Sequence, residues 1–198
     1  MALDKSRFDE FLKANAWRDL AFRAAVWFAI SGAAAYLALH KGIRASQFLE
    51  RVVTSVAPLV NLVGTFAVLL AMPALALKDL EAVAPGAWGQ GTRRGRVGGF
   101  VRRLAGDLLL WTLGAFATVL SAIAVAAWIE GISRSDVAPL GLAAFKVALL
   151  TATTALLSVG VRRAGPSPIV DLTERVNGLI SIYAVVLGVT ALGVMRSA

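Results

Sequence analysis

Five runs of sixteen to twenty-six residues, nearly free of charge and bracketed by charged side chains, constrain this chain more than any other feature. They cover residues 24–39, 52–77, 108–129, 137–161 and 176–195. A helix needs about 20 apolar residues to cross about 30 Å of hydrocarbon. Inside lipid it must also satisfy its own backbone hydrogen bonds, which a helix does. Composition points the same way: 58% of residues are hydrophobic and 16% charged, against about 45–50% and 25% in ordinary soluble domains. The expected fold is all-α, a polytopic membrane bundle of five transmembrane helices over residues 24–198. Residues 1–23 carry Phe8, Phe11, Leu12 and Leu20 among charges, with recurrent spacings of three and four. That pattern predicts a short cytoplasmic amphipathic helix ahead of the first run. A mixed-charge lead of this length argues against a cleaved signal peptide.

The second run is the irregular one. Its 26 residues make about 39 Å of helix, more than the hydrocarbon thickness, and Pro58 and Pro73 offer places to bend. The fifth run follows Pro166 and Pro168, and Asp171 with Glu174 reads as a helix N-cap with its acidic partner.

Orientation follows from the basic residues. Of 20 Lys and Arg, fourteen fall on the side of the N-terminus and five on the other, with Lys146 inside the fourth run. Cytoplasmic loops are the positive ones, so the N-terminus is expected in the cytoplasm of a bacterial inner membrane and the C-terminus outside. The net charge of +8 is thereby explained by membrane topology, and nucleic acid is not the expected partner.

Candidate functional residues are few. The segment 78–103 reads as a long glycine-rich basic loop, with Arg93, Arg94, Arg96, Arg102 and Arg103 suited to anionic lipid or an acidic partner. It fails as a phosphate-cradling loop, because Gly89 and Gly91 lack the third glycine and no Gly-Lys-Ser/Thr follows. Lys146 in the fourth run snorkels to an interface, pairs with an acid across helices, or serves transport. Asn61 with Thr65, and Thr151, Thr153 and Thr154, offer polar contacts between helices or a pore lining. Asp107 lies within reach of Arg102 and Arg103. Small residues four apart, at Ala144, Ala148 and Ala152 and at Ala184 and Gly188, suggest packing seams.

The chain has no cysteine and one histidine, His40. Thiolate chemistry, bis-histidine haem ligation within the chain and an ordinary zinc site are therefore excluded. No cofactor and no catalytic group is expected. The expectation is a non-catalytic accessory, assembly or scaffold subunit, with the bilayer and other membrane subunits or further copies of itself as partners. The alternative is a small homo-oligomeric channel or transporter using the second run, Asn61 and Lys146. Reporter fusions test the topology: a fusion after Arg103 is expected to report the cytoplasm and one at Ala198 the outside. Both on one side would contradict an odd number of crossings.

Overall fold

The computed structural model describes residues 16–89, 91–131, 137–163, 165–173 and 175–197. Its regular structure is entirely helical: α1 (Ala16–His40), α2 (Ala45–Val83), α3 (Arg93–Glu130), α4 (Val137–Arg162) and α5 (Val176–Ser197), with one short helical turn at Pro85–Trp88 and a 3-10 turn at Val170–Leu172. Four helices are long and apolar enough to cross a membrane, within Trp17–His40, Pro58–Val83, Arg93–Glu130 and Val137–Arg162. The apolar part of α5, Val176–Leu192, is shorter.

The spine is the antiparallel pair α2 and α3, which make the most extensive contact in the chain. At 39 and 38 residues each is about 57 Å long, nearly twice the hydrocarbon thickness. Their register is readable from three contacts. A Cβ on Gly98 would lie 3.4 Å from Leu77 Cβ, one on Gly64 would lie 3.4 Å from Thr112 Cγ2, and the Ala45 N–H donates to Glu130 Oε1 at 2.6 Å. The last contact satisfies one of the orphan N–H groups that open α2. Ala67, Ala71 and Ala74, three positions on one face of α2, are fully buried together with Ala105 and Leu109 of α3. Lipid is as apolar as a leucine side chain, so burial alone does not drive helices together there. Small side chains let the backbones approach and gain dispersion contact instead.

This register puts the two apolar runs out of step. Lys78 closes the run of α2 and neighbours the Leu77–Gly98 contact, whereas the run of α3 opens only at Leu108. Ten residues of helix are about 15 Å. The start of α3 therefore lies beside the apolar end of α2.

The other helices dress this pair. α1 runs parallel to α3 and meets it through polar and small residues: Ser31 and Thr118 hydroxyls are 2.9 Å apart. Ser121 donates to the Phe28 carbonyl at 2.9 Å, and the Trp27 ring covers Gly114. α4 packs on α3 and α2, while α5 packs chiefly on α2. Buried residues of α4 are confined to its second half, Thr154, Ser158, Val159 and Val161.

Several expectations change. The first apolar run is no separate element, since α1 is continuous from Ala16 through Arg23; residues 1–15 of the expected amphipathic segment lie outside the described residues. α2 runs unbroken through both Pro58 and Pro73, from Ala45 to Val83. The segment 78–103 is mostly helix: α2 continues to Val83 and α3 begins at Arg93. Asp171 sits in the 3-10 turn and caps no helix, α5 starting only at Val176; Glu174 lies outside the described residues. Ala148, Ala152, Ala184 and Gly188 are exposed, so these small residues form no seam within the chain.

Gly89 and Gly95 have a packing reason. Thr92 caps α3 by accepting from the Gly95 N–H at 3.0 Å, and a Cβ on Gly95 would lie 2.0 Å from the Gly89 carbonyl oxygen. Backbone cannot yield as a side chain can. Gly95→Ala is expected to cost about 1–3 kcal/mol through overpacking. Gly99→Ala, whose Cβ meets nothing within 4 Å, is expected within about 1 kcal/mol of the parent, on the stabilising side. Thermal unfolding in mild detergent compares the two; equal effects would refute the packing argument.

Candidate functional site

The densest polar chemistry among the described residues lies at the end of the bundle where α2 leaves its apolar run. Lys78 and Asp79 follow that run directly, yet both are buried, Asp79 to 0% exposure. A buried carboxylate is costly unless its oxygens are satisfied. Here the loop between α4 and α5 supplies the donors. The backbone at Gly165 takes φ +93, a conformation glycine tolerates, and Pro166 and Pro168 flank Ser167 in the returning chain. Ser167 then donates twice to Asp79, its N–H to Oδ1 at 2.7 Å and its hydroxyl to Oδ2 at 2.5 Å. The Tyr183 hydroxyl of α5 donates to Oδ2 at 2.5 Å. Leu80, Leu179 and Tyr183 form an apolar core around this cluster, with Trp88, Ile169 and Val176 against it.

Three further contacts surround it. Lys78 Nζ donates to the Gly160 carbonyl of α4 at 2.6 Å, one of the carbonyls a helix end leaves without an internal partner. Arg162 reaches Asp19 of α1 at 2.8 Å, and Asp19 also holds Arg23 at 3.0 Å. Arg102 of α3 pairs with Glu81 of α2 at 2.9 Å. Every helix thus enters this layer through a charged or hydroxyl group. The Arg162 side chain crosses Gly106, where a Cβ would lie 3.3 Å from its Cγ. Two buried polar atoms, Ser158 Oγ and Arg162 Nη1, have no hydrogen-bond partner among the described residues.

The layer works as a clamp. Each hydroxyl that resembles a nucleophile, Ser167 and Tyr183, is committed to Asp79 as a donor. No group of three or more His, Cys, Asp or Glu that could hold a metal ion occurs among the described residues. What the arrangement does chemically is tie the loop and α5 to α2, and α4 to α1 and α2.

Most of the residues singled out from sequence lie elsewhere. Arg93, Arg94, Arg96 and Arg103 are exposed on the first turns of α3, with Arg94 5.2 Å above the Trp88 ring. Arg102, offered as a partner for Asp107, is half-buried and paired with Glu81. Asp107 is exposed on α3, Asn61 on α2 and Lys146 on α4. Thr151 and Thr153 donate to the carbonyls of their own helix one turn back, a common habit of hydroxyls in helices. Of these residues, Arg102 enters the clamp layer, through Glu81. Sequence reasoning took Lys78 as a span boundary and passed over Asp79, Ser167 and Tyr183. The available signal was a carboxylate flush against an apolar run, together with a tyrosine inside another.

Compared with known proteins, the chain matches no protein family, no curated protein and no solved structure. Its site is therefore read from its own residues.

Substitution separates the clamp's parts. Tyr183→Phe removes one donor to a charged group and is expected to cost about 1.5–3 kcal/mol. Asp79→Ala strands Lys78 without its neighbouring charge, removes the acceptor of the Ser167 N–H and leaves the Ser167 and Tyr183 hydroxyls only each other at 3.2 Å, for about 3–5 kcal/mol. The double variant should cost clearly less than the sum, because both changes remove one interaction. Strict additivity in detergent unfolding would show that Tyr183 and Asp79 act independently.

Proposed function

We propose that this chain is a non-catalytic accessory, assembly or scaffold subunit of a bacterial inner-membrane complex. It crosses the bilayer five times, with α5 as the fifth span, its N-terminus cytoplasmic and its C-terminus outside. The observation that carries the reading is the unpartnered state of α4. From Val137 to Leu150 none of its residues is buried, and Lys146 points outward from the middle of that stretch. An ammonium at membrane depth is costly, and such residues pair with a partner or reach for the interface. The exposed Ala184 and Gly188 of α5 supply a second small-residue face of the kind on which membrane helices meet. The polar chemistry inside the chain, by contrast, is committed to holding its own helices.

The second reading is a homo-oligomeric channel or transporter. It draws on the outward placement of Asn61 and Lys146, which several copies would have to turn towards a common axis.

Extraction from native membranes in mild detergent discriminates the two. A companion of different mass in fixed stoichiometry is expected, with Lys146→Glu lowering its recovery at least about tenfold, equivalent to about 1.4 kcal/mol. A self-contained oligomer that conducts ions in liposomes would overturn the subunit reading and favour the pore.

A further inference from the structure

The start of α3 presents a face that the clamp and the subunit reading leave unused. Along the helix, Val97, Phe100, Leu104 and Trp111 recur at spacings of three, four and seven, so they form one stripe. All four are exposed, Phe100 to 66% and Trp111 to 68%. Arg93 stands at the head of the stripe, Arg96 along one flank and Arg94 on the other, all three exposed. Asp107, also exposed, lies beside the stripe further along.

Two observations decide what this face meets. One turn past Asp107 the stripe resumes at Trp111, which belongs to the apolar run 108–129 and faces outward from it. The register of the spine also sets Gly98 beside Leu77, the last residue of the apolar run of α2. These first turns of α3 therefore lie at the depth where an apolar run ends, which is the headgroup layer. Aromatic and aliphatic side chains with long cations on their flanks suit that layer. The stripe enters the acyl boundary and the guanidinium groups reach outward to phosphate. A soluble acidic partner would match the arginines and leave Phe100 and its alignment with Trp111 without a counterpart.

We propose that residues 93–104 form an interfacial segment of α3 that selects anionic phospholipid, Arg93, Arg94 and Arg96 engaging headgroup phosphates while Val97, Phe100 and Leu104 enter the upper acyl region. The surface is a lipid-recognition face in its own right. It holds whether the chain serves as a subunit or forms a pore.

The chain contains no cysteine, so Phe100→Cys carries a single environment-sensitive fluorophore without background. In vesicles of phosphatidylcholine with phosphatidylglycerol, the probe is expected to be quenched by a shallow nitroxide lipid and shielded from aqueous iodide. Native mass spectrometry of the parent chain should show phosphatidylglycerol retained over phosphatidylcholine. Arg93→Gln, Arg94→Gln and Arg96→Gln together should lower that preference by roughly an order of magnitude, and the corresponding Lys triple should keep most of it. A probe open to iodide, or equal retention of the two lipids by the parent chain, would overturn the proposal. The first outcome would instead leave the face free for a water-borne acidic partner. Both parent measurements stand even if the Gln triple fails to fold.

Discussion

The close approach of α2 and α3 is the contact on which the other helices depend. Among lipid tails, burial of apolar surface between helices brings little gain, so association rests on packing density and on the few polar groups that meet. The alanines at 67, 71 and 74 and the glycines at 64 and 98 allow this approach along a pair of helices far longer than the bilayer is thick. α1 and α4 then pack against α3, and α5 against α2. The same register displaces the two apolar runs and sets the basic start of α3 beside the end of the apolar run of α2. A packing detail between glycine and leucine thus decides where those basic turns stand along the pair.

The clamp around Asp79 closes the bundle at that edge. Its hydrogen bonds join residues remote in sequence, and its charges sit directly after the apolar run of α2 ends. There a fully satisfied carboxylate can be held without the full cost of the bilayer centre. The clamp's work is local: it fixes the loop of Ser167 and the first turns of α5 against α2. The first half of α4 has no buried residue, so its exposed face and Lys146 remain available for contacts beyond the chain.

How much of this was legible in the sequence differs by feature. The apolar runs announced an all-helical membrane chain because their length and lack of charge admit few other solutions. The segment 78–103 misled, since glycine and arginine interrupt the apolar periodicity by which a helix is recognised. In the folded chain some of those glycines are packing positions: Gly95 lies against the Gly89 carbonyl and Gly98 against Leu77. Asp79 was not legible for a different reason. Its partners Ser167 and Tyr183 lie 88 and 104 positions away, and nothing local in the sequence joins them. Likewise Ala184 and Gly188 have the spacing of a seam but face outward, because spacing defines a face without saying what covers it. Lys146 was marked as unusual by its place in an apolar run, and its outward direction came only with the packing of α4.

The register of α2 against α3 is the central claim, and cysteine cross-linking tests it most directly. A Cβ on Gly98 lies 3.4 Å from that of Leu77, close to the roughly 3.5–4.5 Å spanned across a disulfide. With Leu77→Cys and Gly98→Cys introduced into the cysteine-free chain, mild oxidation in native membranes should close an intramolecular disulfide nearly completely. Pairs moved one turn along α3, Leu77→Cys with Arg94→Cys or with Arg102→Cys, should form it poorly. Preferential closure of either shifted pair, or cross-links between chains alone, would contradict the register and with it the depth assigned to the start of α3.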